Sequence, residues 1–551
     1  MKKLMLGLLA CLLACFLAHS AGAVSETLSH RSPDTAARLL RLPNQSEVRL
    51  DDVALADGRK VSVRMARFEV FAPGAQVRIH GAGGQLQSEA APEMAHYSGE
   101  IEGQPGSRVL WSARADGSIR ALMHLDGQVQ ISEGGTSGAK ARLLRPDEDL
   151  PGKPFQCGTD DHAHQVQRAA LAPAAGTGIA AALIDSATAA AATNTVYTAN
   201  VAVETDYEYF QLFGTTAKAI QYTADLFAYV STLYASELKA QLKISDLYLY
   251  TTAADPWSAT LDTGAALDEM QSYWVANRSD VQRSLVHMLS GKNMGGGVAY
   301  IDALCDNAWG YGFSGGMEGD FSAANPTFVW DAMMVAHEIG HNFGSPHTHS
   351  SKYENYGGYS NPVDCCASDG SGLCNSRTPT LPGIASLSGG PSGAGTGTIM
   401  SYCHTLLPGM SNVSTTFGTN QTYGVAAFRV PQRMRAALEA VAEANPSCLS
   451  AQTGYSLNVA LSGGGGAVSS APAGISCGAS CTARFNAGSS VTLTAQPQAG
   501  ANFLGWQGDC GGSGTCTLTM DRSHQVTAVF AMPDDGFPPV SGLPAGWSAS
   551  S

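Results

Sequence analysis

The sequence is short of charged residues, and it contains no cluster of basic ones. Charged side chains make up only 14% of the chain, and 46 acidic residues outnumber 32 Lys and Arg, which gives a formal net charge of −14. A nucleic-acid-binding surface needs clustered positive charge to neutralise phosphates. The composition therefore excludes nucleic acid as an expected partner.

Long apolar runs are missing beyond the N-terminus. After the first 23 residues, no stretch reaches the roughly 18 apolar residues that a membrane-spanning helix requires. Disorder is not expected either, because hydrophobic residues make up 44% of the 551-residue chain. With 62 glycines spread along it, the chain is predicted to be a loop-rich protein of several domains without stable membrane insertion.

The first 23 residues have the composition of a secretory signal peptide. Lys2 and Lys3 precede a long apolar stretch, and residues 21–23 (AGA) form a small-residue cleavage site. The sequence LLAC occurs twice, ending at Cys11 and Cys15, so an uncleaved anchor or a lipoprotein signal is the alternative. We predict export to an extracellular, oxidising compartment, which permits disulfide bonds.

Composition and periodicity divide the rest of the chain into five segments. Short runs of alternating apolar and polar residues predict strands, and a stretch rich in Ala and Gly favours a linker. Strands that alternate with amphipathic helices indicate an α+β domain, and a segment rich in Gly, Ser, Thr and Val predicts a small all-β module. The segments are a β-rich domain at 24–160, a linker at 161–195, an α+β domain at 196–450, a β-module at 455–531 and a flexible tail at 532–551.

Within the α+β domain, the period of the apolar positions changes repeatedly between strand and helix values. The predicted strands are 196–210, 242–252 and 283–291, and the predicted helices are 215–238, 266–278, 329–343 and 431–448. Pro431 suits the first turn of the last helix, because a proline there costs no hydrogen bond.

The segment HEIGHNFGSPH, which begins at His337, carries the strongest chemical signal. His337 and His341 are four residues apart on a predicted helix, so both rings leave one face, as two ligands of one Zn²⁺ require. Gly344 can take the positive φ of a sharp turn and so lets His347 return as a third ligand. Glu338, next to the first ligand, is then placed to act as general base on water at the fourth position.

His349 is a rival for the third ligand position, because it lies only two residues beyond His347. The spacing HExxHxxGxxH specifies five positions and favours His347, which leaves His349 at the rim or behind the ligands. Three protein ligands and an open position are the pattern of a catalytic zinc site rather than a structural one.

Together with TIMSYC (398–403), this motif resembles the metzincin clan of zinc endopeptidases. The resemblance implies that Met400 forms an apolar floor beneath the imidazoles in a Met-turn. It also implies that Tyr402 binds zinc or stabilises the oxyanion, with packing or hydrogen bonding as the alternative. Residues 196–448 look most similar to the bacterial reprolysin-like or adamalysin-like branch, which implies a mixed twisted sheet, long helices and an active-site helix.

The cysteines support this resemblance and leave one thiol over. Of 13 cysteines, 11 lie beyond the signal peptide. FQCGTDD around Cys157 resembles the cysteine-switch segment of metzincin pro-domains, which implies that its thiolate occupies the open zinc position until residues 24–160 are removed by cleavage in the linker. A disulfide or a buried free thiol is the alternative for Cys157. The ten others allow Cys305–Cys448, implied by the adamalysin resemblance, two bridges among Cys365, Cys366, Cys374 and Cys403, and the local pairs Cys477–Cys481 and Cys510–Cys516.

These features predict a secreted bacterial zinc metalloendopeptidase, made as a zymogen and acting as a monomer on protein or peptide substrates. The alternative is a surface adhesion or binding protein with an inactive metzincin domain and a structural zinc. Glu338 favours the enzyme, since an inactive descendant does not need the base. Glu204 and Asp206 are candidate ligands for Ca²⁺ as an accessory ion. The β-module resembles a Cys-containing repeat of bacterial exported proteins, with Trp506 expected in its core.

Overall fold

The structure is a computed structural model in which the described residues form two compact units. The first unit comprises 28–40 and 50–452, and the second contains the described residues beyond 452 with short stretches near the N-terminus. The predicted signal peptide, nearly all of the predicted linker and the predicted tail lie outside the described residues. The description covers 25–531 except 30–33, 45, 105, 126–127, 135–139, 146–155, 160–194, 261, 326, 383–395, 408, 420–423, 464, 478–480 and 487.

Six α-helices are assigned within these ranges. They are α1 (Thr35–Arg41), α2 (Tyr207–Phe213), α3 (Thr216–Leu238), α4 (Thr263–Asn277), α5 (Phe328–Asn342) and α6 (Arg429–Ala444). The last four confirm the predicted helices to within a few residues at most ends. Among the described helices, none is both long and apolar enough to cross a membrane.

The predicted β-rich segment contains ten strands before residue 144. They are β1 (Ser25–Ser29), β2 (Glu47–Ala54), β3 (Lys60–Phe68), β4 (Phe71–His80), β5 (Leu86–Glu89), β6 (Met94–Ile101), β7 (Arg108–Arg114), β8 (Ile119–Leu125), β9 (Gln128–Gly134) and β10 (Lys140–Leu143). Eight of them form one sheet in the order β1-β2-β3-β6-β7-β8-β9-β10. In β3, the buried Val63 and Met65 alternate with more exposed neighbours, which is the period-two pattern of the prediction.

The other two strands of this segment, β4 and β5, belong to the sheet of the α+β domain. Its remaining strands are β11 (Gln156–Cys157), β12 (Val196–Thr205), β13 (Ala240–Tyr250), β14 (Leu285–Ser290), β15 (Gly296–Ala299), β16 (Tyr311–Gly315) and β17 (Ser450–Gln452). The order is β11-β15-β16-β14-β12-β13-β4-β5, and β17 pairs with β12. The pairs of β12 with β13 and with β14 are parallel, and β15 is antiparallel to β16, so the sheet is mixed as predicted.

Both faces of this sheet are covered, because successive residues of its central strand enter two different cores. Val201 and Val203 of β12 pack in the core that contains α3 and α5, whereas Ala202 packs in the core that contains α4. Residues 196–210 were predicted as a single strand, and this is wrong beyond Thr205. The Asp206 carboxylate accepts a hydrogen bond from the Tyr209 amide at 2.7 Å, which caps α2 and ends the strand.

Five disulfides form among the ten cysteines expected to pair, and the pairing left open among Cys365, Cys366, Cys374 and Cys403 is Cys365–Cys374 with Cys366–Cys403. The bonds are Cys305–Cys448, Cys365–Cys374, Cys366–Cys403, Cys477–Cys481 and Cys510–Cys516. Cys157 is free and buried.

The second unit contains the predicted all-β module. Its strands are β18 (Tyr455–Ser462), β19 (Gly466–Ala471), β20 (Ser476–Cys477), β21 (Thr482–Phe485), β22 (Ser490–Pro497), β23 (Asn502–Gly508), β24 (Cys516–Thr519) and β25 (His524–Ala531). They form two four-stranded sheets, β21-β18-β25-β23 and β20-β19-β22-β24. Trp506 lies in the core of the module, as predicted, and its indole Nε1 donates to the Gly514 carbonyl at 2.6 Å.

Candidate metal centre

Helix α5 carries the first part of the predicted motif and ends at the predicted turn. Gly344 has φ +93° and donates from its amide to the His341 carbonyl at 2.8 Å. A Cβ on Gly344 would lie 2.8 Å from the Cβ of Ala437 on α6, so both the backbone conformation and the available space require glycine. The chain reverses here and brings His347 back toward the helix.

Three histidine nitrogens converge at this turn. The Nε2 atom of His337 lies 3.1 Å from that of His347 and 3.2 Å from that of His341, and the last two are 3.2 Å apart. Tetrahedral ligands at the usual zinc–nitrogen distance are about 3.3 Å from one another. The triangle therefore has the size of one face of a zinc coordination tetrahedron.

The outer ring nitrogens set the tautomers of two of these histidines. The Nδ1 of His337 donates to the carbonyl of Ile399 at 2.7 Å, and the Nδ1 of His341 donates to that of Ser345 at 2.7 Å. Because Nδ1 carries the proton, Nε2 keeps its lone pair, which is the form that binds a metal. Main-chain carbonyls from two separate turns therefore hold both rings in the tautomer that binds a metal.

His347, and not His349, completes the triangle. The His349 ring stacks beside the His347 ring, with centroids 5.3 Å apart and planes 15° apart, and it lies 5.1 Å from the Tyr402 ring. It does not belong to the group of four side chains whose ligand atoms converge among the described residues. His349 thus lies beside the His347 and Tyr402 rings and outside the group of converging ligand atoms.

Glu338 points its carboxylate into the same space. The side chain is fully buried, its Oε2 accepts from the Cys157 thiol at 3.3 Å, and its Oε1 has no hydrogen-bond partner among the described residues. Burial raises the pKa of Glu338 well above its ordinary value, and the Cys157 hydrogen bond opposes that rise. A Cβ on Gly297 would lie 2.4 Å from Oε1, so the glycine provides the space that the carboxylate occupies.

The Cys157 thiol lies next to the three histidine Nε2 atoms. Its Sγ is 3.4 Å from the His341 Nε2 and 2.9 Å from the Thr159 hydroxyl. This Sγ and the three histidine nitrogens all lie within 4.8 Å of one another. Burial and then the Glu338 charge raise the pKa of the Cys157 thiol well above its ordinary value, while its contacts with Thr159 lower it.

Backbone and hydroxyl contacts hold the Cys157 segment in place. Strand β11 pairs in parallel with β15, with Gln156 opposite Gly296 and Cys157 opposite Gly297. The Tyr402 hydroxyl donates to the Cys157 carbonyl at 2.7 Å and accepts from the Cys157 amide at 3.0 Å. Tyr402 thus binds both polar groups of one residue, a contact that its position in the sequence did not predict.

Met400 lies directly beside the helix that carries two of the histidines. It is fully buried, and a Cβ on Gly340 would lie 2.6 Å from its Sδ. The Met400 carbonyl accepts from the amide of Thr348 at 3.1 Å and from its hydroxyl at 3.3 Å. The residue after His347 is therefore tied to the turn that contains Met400.

The donor set fits zinc. Imidazole nitrogens and a thiol are borderline and soft ligands, which suit zinc better than magnesium or calcium. Lone pairs at these separations repel one another unless a cation or a proton lies between them. The Glu338 Oε2 contacts the Cys157 thiol, which belongs to the same cluster of ligand atoms. A cation bound here would favour the charged forms of Glu338 and Cys157 and so reverse both pKa shifts.

An apolar pocket opens beside His337. Its lining residues are Trp330, Met333, Met334, His337, Ile399, Ser401, His404, Met410 and Val413. They come from α5 and from the segment around Met400, which are far apart in the sequence, so periodicity alone could not predict this pocket.

Several residues of the metal centre were not predicted from the sequence. Thr159, whose hydroxyl also accepts from the Ala299 amide at 3.2 Å, lies just two residues after Cys157. Gly297 is the last residue of the run Gly-Gly-Gly, which could have indicated a close approach of the backbone. Ser345 and Ile399 act through main-chain carbonyls, which no pattern of side chains can reveal.

The two candidate calcium ligands have other partners. The Oε2 of Glu204 accepts from the Trp274 indole at 2.8 Å and forms an ion pair with Arg278. Asp206 accepts from the amides of Tyr209 and Gly291, at 2.7 and 3.0 Å. Protein donors therefore already contact the Glu204 Oε2 and the Asp206 carboxylate, and calcium binding by these two residues stays a prediction.

Two family models match parts of this chain. Residues 195–417 match the model of the reprolysin-like metallo-peptidase family M12B, and residues 457–533 match that of the divergent InlB B-repeat domain. No curated protein sequence matches the chain. Among solved structures, metalloproteinase-II from Bacteroides fragilis is similar at 12% identity and a TM-score of 0.32, over 61% of this chain and 92% of that one. A chaperone-substrate complex is similar at 12% identity and a TM-score of 0.26, over 76% of this chain and 56% of that one.

Proposed function

Because residues 195–417 belong to the reprolysin-like metallopeptidase family M12B, we propose that the chain is a zinc-dependent endopeptidase, exported by a bacterium and made as a latent precursor. The observation that carries this proposal is the triangle of three histidine Nε2 atoms, 3.1 to 3.2 Å apart, next to a buried carboxylate. His337, His341 and His347 would hold the zinc. When bound, zinc supplies a Lewis acid that polarises the scissile carbonyl and lowers the pKa of water.

The protein's own groups perform the proton transfers. Glu338 takes a proton from the attacking water and returns it to the leaving amine, and its burial keeps competing solvent away from the carboxylate. The Tyr402 hydroxyl, once released from Cys157, donates to the developing oxyanion of the substrate. The edge of β15, which pairs with β11 in the precursor, becomes free to pair with an extended substrate backbone.

The apolar pocket beside His337 would receive a substrate side chain. Six of its nine lining residues are apolar, from Trp330, Met333 and Met334 on the helix to Ile399, Met410 and Val413 opposite. Burying an apolar side chain there is favourable, whereas a charged side chain would lose its hydration without an opposite charge. We therefore propose that the peptidase cleaves next to apolar residues.

The cysteines support the proposed latency and export. The Cys157 thiol stands where a fourth zinc ligand would stand, which supports its role as the inhibitory ligand of a precursor. Five disulfides within the described chain suit an oxidising, extracellular compartment. The alternative, an inactive binding protein with a structural zinc, gives the buried Glu338 carboxylate no role.

Removal of metal tests the activity. The processed protein is expected to cleave casein, to lose that activity with a chelator and to regain it with zinc. Activity should return because three neutral histidines bind zinc reversibly, without any covalent change in the protein. Mass spectrometry of the products should show cuts next to apolar residues. Cleavage that persists in metal-free protein would contradict the zinc mechanism, and a processed, zinc-loaded protein without activity would favour the binding-protein alternative.

Tyr402→Phe is expected to affect catalysis and latency together. The variant loses the donor to the oxyanion, so kcat of the processed enzyme should fall by about 10- to 1000-fold with little change in KM. The uncut precursor should also become less latent, because the hydroxyl no longer binds the Cys157 amide and carbonyl. Steady-state kinetics of both forms measure these effects.

The matched control is Tyr359→Phe, because this tyrosine is exposed and contacts Arg429 through its ring, which phenylalanine keeps. It should leave both kcat and latency unchanged. If Tyr402→Phe behaves in the same way as the control, Tyr402 has only a packing role.

A further inference from the structure

The N-terminal region, defined here as residues 50–143, supplies two strands of the peptidase sheet. Strand β4 pairs in parallel with β13, from Phe71 opposite Ile244 to His80 opposite Tyr250, and β5 forms the next strand outward. Strand β13 is therefore an inner strand of the sheet. Without β4, one edge of β13 would expose unpaired N–H and C=O groups along most of its length.

Buried charges join the same two parts of the chain. Asp225 on α3 is fully buried, and its carboxylate contacts the His96 Nε2 at 2.9 Å and the Arg114 guanidinium. His96 and Arg114 belong to β6 and β7 and are themselves 4% and 3% exposed. Separating the two parts would remove both His96 and Arg114 from the Asp225 carboxylate. A buried carboxylate that loses its charged partners is strongly unfavourable.

Three more polar contacts lie further along α3 and at Thr415. Arg108 at the start of β7 forms an ion pair with Glu237 at 3.4 Å, and His124 of β8 bonds the hydroxyls of Tyr229 and Thr415, at 2.5 and 3.0 Å. These contacts involve the peptidase helix over several turns. The interface is therefore broad and specific rather than a single point of attachment.

Apolar residues of both parts also share one core. Leu110, Leu122 and Ile131 of the N-terminal region lie in the same cluster as Leu226 and Phe227 of α3, and all five are at most 2% exposed. Removing the region would expose a large apolar face on the peptidase, which is a poor state for a folded protein in water. Burial therefore favours retention of the region.

The inhibitory segment pairs with the peptidase sheet over a much shorter stretch. Strand β11 has two residues and two register pairs with β15, whereas β4 has six paired positions with β13. A cut in the linker beyond residue 160 frees the chain just after Cys157 and does not touch β4, β6 or β7. The two attachments therefore differ in extent, and the shorter one can dissociate while the longer one stays in place.

We propose that residues 50–143 remain bound after the linker is cut, as a permanent non-covalent subunit seated on β13 and α3. Only the short segment around Cys157 leaves the metal centre. The mature protein is then a two-chain complex, and the N-terminal region is part of its scaffold. This inference rests on the proposed function only in taking residues 161–194 as the place of cleavage.

The test nicks the full-length chain at a site-specific protease sequence inserted within residues 161–194. The chain also carries Glu338→Ala, which prevents self-digestion and makes the result independent of peptidase activity. Size-exclusion chromatography under native conditions is expected to show both fragments eluting together. Hydrogen exchange should show the β13 amides as protected in the nicked protein as in the intact one, because β4 still covers them. Elution of the N-terminal fragment alone, with fast exchange along β13, would overturn the proposal.

Arg114→Met in the nicked protein tests the interface itself. It leaves the Asp225 carboxylate with one partner fewer, so dissociation of the fragments should be at least about tenfold faster. The matched control is Arg64→Met, because Arg64 pairs with Glu102 inside the same region and is half exposed; its rate should stay within about twofold. Equal rates for the two variants would overturn the assigned interface. If Arg114→Met does not fold, elution and exchange of the unsubstituted nicked chain still decide the proposal.

Discussion

Glu338→Gln is expected to reduce kcat by about 10²- to 10⁴-fold while zinc stays bound in a 1:1 ratio. The amide has the shape of the carboxylate and fits the space beside Gly297, but it cannot accept a proton from water. The histidine triangle does not depend on this group, since the Nδ1 atoms of His337 and His341 are held by main-chain carbonyls. Hydrolysis of a fluorogenic peptide and metal analysis of the same sample measure both quantities.

The control for this change is Glu443→Gln, an exposed position on α6. It should leave kcat and zinc content unaltered. A Glu338→Gln protein with full activity would remove Glu338 from the mechanism, and a variant that loses zinc together with activity would show that the carboxylate supports the site rather than the proton transfer.

The second large effect is expected from Cys157→Ala in the uncut precursor. Its activity on small peptides should rise at least about tenfold above that of the wild-type precursor, because a thiolate that blocks the open metal position is lost. The rise should be smaller than the effect of full processing, since the backbone of the segment still pairs with Gly296 and Gly297 and still contacts Tyr402. Activity measured before any cut in the linker reports this directly.

A graded variant and a spectroscopic signal separate the thiol from the backbone. Cys157→Ser keeps a hydroxyl beside Thr159 but is a weaker metal ligand, so its latency should lie between those of wild type and Cys157→Ala. In cobalt-substituted precursor, sulfur-to-metal charge-transfer absorption should be present in wild type and absent in both variants. If both variants stay fully latent, pairing along β15 is the inhibitory contact and Cys157 is only a buried thiol.

Much of the metal centre could be predicted from the sequence because its central part is local. Residues 337–347 form one helix end and one turn, so the four-residue spacing of His337 and His341 and the backbone freedom of Gly344 decide where three rings point. The helices α3 to α6 were predictable for the same reason, since the period of apolar residues is a property of neighbours in the chain. Met400 and Cys157 depended on family resemblance, because no local rule places a residue 53 or 180 positions away beside His347 or His337.

The tertiary structure alone decided the choices between distant partners. Alternating apolar residues predict that a strand exists and which face it buries. They do not predict its partner, because any strand edge of similar length can pair with it. The pairing of β4 with β13 therefore could not be predicted from the sequence pattern. The main-chain carbonyls that orient His337 and His341, and the two bonds of Tyr402 to Cys157, have no signature in side-chain sequence. The sequence by itself determined the chemistry of the donors and the local turns, and long-range packing determined which donors meet, because contacts between remote segments depend on the whole fold.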